Sequence, residues 1–174
     1  MDKEELDQLP SHPEHGPASR WEHLRVDGAV ARPLTLTAAD LAGLRKAEIV
    51  EDFPCEQGWV VRSLEWEGVP VGDVLSAAGL LGEARYVSFS AGNFSVALTL
   101  EEAQADNALL AMRLNGRPLP SDHGGPCRLV VPGTDCFASI KWLDHMEVTA
   151  ERPAETAREI ALTRIGKLNP PDKA

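Results

Sequence analysis

The sequence predicts an α+β domain of mixed β-sheets with short helices, and three observations carry that prediction. Runs with strand periodicity alternate irregularly with short, well-capped helical stretches, without the even βαβ spacing of a doubly wound sheet. Gly and Pro cluster between those runs and punctuate them as turns and loops. At 174 residues the chain has the size of one domain with a substantial core.

Residues 1–20 are polar and rich in Pro, His and Glu, and read as a flexible leader. The folded domain is expected over residues 21–150 and a tail with a short helix over 151–174. It should begin at Trp21, with Leu24 and Val26 alternating before a turn at Asp27-Gly28. Thr37-Ala38-Ala39-Asp40 pairs a hydroxyl cap with an acid three residues on, the signature of a helix start, with Leu41 and Leu44 inward. Residues 46–50 then read as a strand. Pro54 forbids a regular helix or a central strand, so Cys55 belongs to a loop at an element's end.

The apolar run 59–66 ends in Glu67-Gly68-Val69-Pro70. Pro70 suits the first turn of a helix that places Val71, Val74, Leu75 and Ala78 on one face and stops at Gly79. Residues 85–90 and 94–98 read as strands joined around Ala91-Gly92-Asn93, and Thr99 with Glu102 forms a second capping box. The apolar stretch 107–114 closes at Asn115-Gly116, and 128–131 is a buried strand between two Gly/Pro clusters. One helical turn is expected over 139–143 and a last strand over 145–149. Beyond Pro153, the residues Ala157, Ile160, Ala161, Ile165 and Leu168 form a narrow helical stripe.

Composition excludes several functions. The chain is 43% hydrophobic and 25% charged, as expected of a soluble globular protein, and no run approaches the ~20 apolar residues of a membrane helix. A net charge of -10, from 17 basic and 27 acidic side chains with no basic stripe, repels nucleic acid and anionic lipid. The N-terminus MDKEELDQLP lacks the features of a secretory signal, and three scattered cysteines make no disulfide framework, so a cytoplasmic location is expected. His12, His15 and His23 lack the cysteine or carboxylate framework of a zinc site.

Signatures of nucleotide-binding loops, serine hydrolases and zinc proteases are absent. Two other stretches carry chemistry. In Asp52-Phe53-Pro54-Cys55-Glu56-Gln57-Gly58-Trp59 a loop presents Cys55, whose thiolate suits a soft redox metal, although a cysteine can also pack as a small hydrophobe. In His123-Gly124-Gly125-Pro126-Cys127-Arg128 the glycines allow backbone N–H groups to approach an anion, and Arg128 offers a forked donor matched to phosphate. The loop 133–141, with small residues and Lys141, is a second candidate cradle; either loop alone could also be an ordinary turn.

Taken together, the chain resembles the catalytic domain of the sulfite oxidase family of molybdenum enzymes. The likeness spans about residues 21–150 and rests on LRVDGAVARPLTL, DFPCEQGW, LEWEGVPVGDVL, ARYVSF, LNGRPLPSDHGGPCRLVVPG and SIKWLDHMEV, in the family's order and spacing. It implies a sulfite-oxidase-type molybdopterin-binding fold and a molybdopterin cofactor in its mononucleotide form. Cys55 falls on the cysteine that ligates molybdenum, His123 and Arg128 on positions that hold the pterin and its phosphate, and Ser139, Ile140 and Lys141 on a segment that contacts the cofactor partly through backbone. The expected activity is oxygen-atom transfer to or from a small substrate, with electrons exchanged with a separate haem or flavin protein. Glu56-Gln57-Gly58-Trp59 stands where sulfite-oxidising members carry arginines, which points to a neutral substrate. Asp135-Cys136-Phe137 departs from the aromatic and glycine that relatives often carry there, and Cys136 becomes a candidate second thiol near the cofactor. The alternatives are a non-catalytic binding module that keeps the fold, or a subunit whose chemistry needs a redox partner chain.

Overall fold

The computed structural model of the chain describes residues 21–54, 60–164 and 166. The expected leader, Cys55 with its downstream loop, and Ile165 and Leu168 of the tail stripe lie outside the described residues.

Among the described residues ten strands and four helices follow in the order β1 (Leu24–Gly28), β2 (Leu34–Leu36), α1 (Ala38–Gly43), β3 (Ala47–Pro54), β4 (Val60–Pro70), α2 (Val71–Ala78), β5 (Tyr86–Ala91), β6 (Phe94–Thr99), α3 (Leu100–Ala103), β7 (Leu109–Leu114), β8 (Arg117–Pro118), β9 (Arg128–Val130), β10 (His145–Thr149) and α4 (Ala157–Arg164). Single 3-10 turns sit at Ser121–His123 and Cys136–Ala138. The strands form two sheets, a mixed one in the order β2-β1-β10-β5-β6 and an antiparallel one in the order β3-β4-β7-β8, with β9 also paired to β7. This is the expected α+β architecture.

In the mixed sheet β10 lies between β1, which runs parallel to it, and β5, which runs antiparallel. Gly28 makes the first contact possible: its φ is +86° and a Cβ there would stand 2.1 Å from the Val148 carbonyl oxygen. The expected hairpin forms between β5 and β6 with Ala91 opposite Phe94.

The second sheet explains two unbroken apolar runs. Alternation along β7 sends Leu110 to the larger core and Leu109 and Ala111 to a smaller one, and β9 does the same with Leu129 and Val130. A strand buried on both faces has no polar side to display, hence LLA and LVV. Each large side chain buried this way contributes about 1.5–3 kcal/mol.

Both capping boxes form as expected. The Thr37 N–H donates to Asp40 Oδ2 at 2.9 Å and the Thr99 N–H to Glu102 Oε2 at 2.7 Å. Helix α2 buries Val71, Val74, Leu75 and Ala78, and Gly79 ends it with its N–H on the Leu75 carbonyl at 3.0 Å. Four local expectations need correction. Pro70 is the last residue of strand β4 rather than a first-turn residue, whereas Pro54 closes the edge strand β3, as its exclusion from a central strand requires. At Pro54, on the edge strand β3, the missing N–H costs no ladder bond. The helical turn expected over 139–143 lies earlier, at Cys136–Ala138, because Trp142 adopts φ +55° and donates its N–H to the Gly124 carbonyl at 3.1 Å. The short strand β2 was not expected, since three residues between Pro33 and the Thr37 cap leave too brief a pattern. Helix α4 buries Ala157 and Leu162, while Ile160 and Ala161 are half-buried, so its buried face is offset from the expected stripe. Thr156 ties it to the hairpin, its Oγ1 donating to the Asn93 carbonyl at 2.6 Å.

Candidate functional site

A cavity of about 340 Å³ opens between the end of β3, residues 51–54, and the loop 131–139. Pro54, the residue before Cys55, forms part of its wall, with Asp135, Cys136 and Ser139 opposite. Two separately predicted stretches, the stem of the cysteine loop and the loop after β9, therefore meet at one place. A second cavity of the same volume lies at the end of the mixed sheet, among Trp21, His23, Arg25, Ser90, Asp144 and His145, and none of the five predicted site residues that are described lines it.

Arg128 does not line the first cavity but stacks on Phe53, which does. It opens β9, and alternation turns it to the same face as Val130, into the smaller core. There it is only 3% exposed, with its guanidinium carbon 5.2 Å from the Phe53 ring and 5.1 Å from the Trp66 ring. Nη1 donates to the His123 carbonyl at 3.1 Å, while Nε is buried without a hydrogen-bond partner among the described residues. Burial lowers the guanidinium to about 10, and the charges of Glu51 and Cys136 pull it back up, so Arg128 stays cationic at neutral pH.

His123 and Lys141 come to the same place by close backbone packing. A Cβ at Gly124, where φ is +101°, would stand 2.8 Å from Lys141 Cβ, and one at Gly125 would stand 2.0 Å from the Leu119 carbonyl oxygen. The glycines thus serve the chain's own packing, and this corrects the expectation of an anion-binding backbone there. Their N–H groups donate to the Ser121 carbonyl at 3.0 Å and the Pro120 carbonyl at 2.9 Å. The His123 side chain is buried. Lys141 Nζ donates to the Asp122 carbonyl at 2.8 Å, and burial, with repulsion from Arg128, lowers its ammonium to about 8.

Ser139 reaches the cavity wall. Ile140 does not: its side chain is in the larger core, its N–H donates to the Ala138 carbonyl at 3.0 Å and its carbonyl accepts from Leu129 at 2.9 Å. Cys127 is buried, not disulfide-bonded, and its thiol is pushed up to about 12 by desolvation, the behaviour of a packing residue.

Sequence reasoning missed Glu51 and the ring pair around Arg128. Burial lifts the Glu51 carboxyl from 4.5 to about 7, against the opposing pull of Arg128 and of the Trp66 indole N–H. The available signal was the alternation Glu51, Phe53 on a strand, readable only once β3 is known to run on to Pro54.

These residues fit a ligand with an anionic tail. Two neighbouring cations, one almost wholly buried with an unpartnered Nε, repel each other inside a chain of net charge -10, and a phosphate-like anion would relieve both. Among the described residues no three His, Cys, Asp or Glu side chains converge to hold a metal ion. Nor, among the described residues, is any helix long and apolar enough to cross a membrane.

A mixed-sheet domain with buried cations beside the stem of a cysteine loop is of a class that binds an anionic organic cofactor. A family model described as the oxidoreductase molybdopterin binding domain matches residues 11–157, and the chain belongs to that family. It is 34% identical over 134 residues to the uncharacterized oxidoreductase YuiH of Bacillus subtilis (strain 168), across 76% of this chain and 67% of that protein. It is 31% identical over 179 residues to sulfite oxidase of Arabidopsis thaliana, across 79% of this chain and 45% of that protein. The crystal structure of sulfane dehydrogenase SoxCD from Paracoccus pantotrophus shares the fold, with a TM-score of 0.70 at 24% identity over 75% of this chain and 39% of that one. The chain thus spans 67% of the first relative and less than half of the other two proteins. The fold is the sulfite-oxidase type, and its cofactor is molybdopterin.

Proposed function

We propose that the chain is a molybdenum-dependent oxidoreductase that transfers an oxygen atom to or from a small, neutral substrate, with Cys55 as the protein ligand to the metal. The single observation that supports it most is Arg128, a buried cation whose Nε has no hydrogen-bond partner among the described residues, stacked on Phe53 in a cavity wall that also includes Pro54, the residue before Cys55. When bound, the molybdenum cofactor supplies two-electron redox chemistry and oxygen-atom exchange.

The chain's own residues do the rest. Cys55 offers a thiolate, the donor that soft metals prefer. Arg128, held rigid by the two aromatic rings and the His123 carbonyl, would offer Nε to the anionic tail. His123 and Lys141 add donors beside it, and Ser139 adds a hydroxyl at the cavity wall. Ile140 acts as an anchor, pinning the segment between Ser139 and Lys141 into the core. Acidic groups on the cavity wall favour an uncharged substrate. Electrons leave or arrive through a separate haem or flavin protein.

The test is Cys55→Ser in a host that makes molybdopterin, with molybdenum, pterin fluorescence and turnover measured on parent and variant. The parent should hold both metal and pterin, and the variant should lose turnover with its fold intact. Retained turnover in a metal-loaded variant would overturn the assignment of Cys55. A parent without molybdenum or pterin would leave a fold-retaining module.

A further inference from the structure

The cavity beside the Cys55 stem carries a carboxyl that the cofactor-holding residues leave unused. Glu51 lies on β3 two residues before Phe53, so both project to the same side of the strand, where the Phe53 ring meets Arg128. Glu51 lines the cavity together with Asp52 and Asp135, and no lysine or arginine among the described residues lines it. Arg128, stacked on Phe53, is close enough for its charge to act on Glu51.

We propose that Glu51 sets substrate choice in this cavity: protonated, it donates a hydrogen bond to an acceptor oxygen of an uncharged substrate, and with Asp52 and Asp135 it turns oxyanions away. This rests on reading the cavity as the substrate side of the site proposed above. The groups acting on or lining the cavity with Glu51 are Arg128 from β9 and the Trp66 indole from β4, with Asp135 and Cys136 from the loop; Asp52 also lines the cavity but alternates to the other side of β3, where it pairs with Arg62 at 3.2 Å and accepts from the Ser63 N–H at 2.9 Å. Burial outweighs the pull of Arg128 and of the Trp66 side chain and holds the carboxyl at about 7, so the donor form is populated near neutral pH. Above that, Glu51 loses its hydrogen and adds a third negative charge to the wall; both changes act against an oxygen acceptor.

The experiment compares molybdopterin-loaded parent with Glu51→Gln, which keeps the shape and an N–H donor but cannot ionise. Dimethyl sulfoxide serves as the uncharged probe and sulfite as the anionic one, with molybdenum content measured in each sample. In the parent, dimethyl sulfoxide affinity should fall as pH rises through about 7, and in Glu51→Gln it should stay level. At about pH 8, where the parent carboxyl is ionised, sulfite should bind about tenfold more tightly to the variant, the effect of removing one partly screened charge a few ångströms away. A carbon-13 titration of the Glu51 carboxyl gives a readout independent of turnover: dimethyl sulfoxide should move its midpoint upward. The same pH profile and probe ratio in both proteins at matched molybdenum content would overturn the inference. Protein without molybdenum would overturn the proposed function instead, and the carbon-13 titration would still decide the role of Glu51: a midpoint that moves upholds it, an unmoved one refutes it.

Discussion

Replacing Arg128 by Met tests whether this residue serves the fold or a ligand, because the two roles predict different losses. The stacks over Phe53 and Trp66, at 5.2 and 5.1 Å, contribute about 1–2 kcal/mol each in a desolvated setting. The hydrogen bond to the His123 carbonyl, 3.1 Å long, adds about 1.5–3 kcal/mol. Against these stand the several kcal/mol that burying a charge costs and about 1–3 kcal/mol for the unpartnered Nε. Methionine keeps most of the apolar length and removes both penalties. The sums nearly cancel, so unloaded Arg128→Met should differ from the parent by no more than about 2 kcal/mol in either direction. Cofactor retention has no such offset. Truncating one partner of a buried charge pair costs about 2–5 kcal/mol, or roughly 30- to 5,000-fold in affinity. Calorimetric unfolding of the unloaded chain and pterin content of the loaded chain separate the two. Parental pterin content in a variant destabilised well beyond 2 kcal/mol would refute the reasoning and make Arg128 a core residue.

Two further perturbations follow from the structure. Burial raises the Glu51 carboxyl from 4.5 to about 7, so across that window the folded chain holds a proton that the unfolded chain has released. Parent stability should therefore fall as pH rises from 4.5 to about 7 and level off above it. Discounted for partial solvent screening, the loss is about 1–2 kcal/mol; Glu51→Gln should escape it, gaining that margin at about pH 8 and none at about pH 4 in urea unfolding. Gly125→Ala would place a Cβ 2.0 Å from the Leu119 carbonyl oxygen, a backbone atom that cannot swing aside. It should cost more than about 3 kcal/mol and loosen Lys141 with it, seen as a lowered Tm; a parental Tm would show that the 119–125 turn is not packed as described.

Much of the architecture was legible because local rules and tertiary packing agree. Thr37 with Asp40 and Thr99 with Glu102 cap helices whatever surrounds them. Val71, Val74, Leu75 and Ala78 read correctly because the helical period and the buried face coincide. Errors arose where distant contacts decide. The turn at Cys136–Ala138 is displaced because Trp142 is held by the Gly124 carbonyl, a bond between segments no window could join. Gly124 and Gly125 looked like ligand-facing glycines, yet their neighbours are Lys141 and the Leu119 backbone. At the site, the types of residue at His123, Arg128 and Lys141 pointed to an anion, and the structure brings the three together. Glu51 stayed hidden because a half-buried carboxyl on an edge strand looks, in sequence, like any exposed strand acid.

The central claim is that Cys55 supplies the chain's sulfur to molybdenum. Its most direct test is molybdenum K-edge X-ray absorption on the loaded parent and on loaded Cys55→Ser. The parent should show a sulfur shell containing one more scatterer than the variant, with an oxygen in its place after substitution. An identical sulfur shell in both proteins would mean that the metal takes its protein ligand elsewhere.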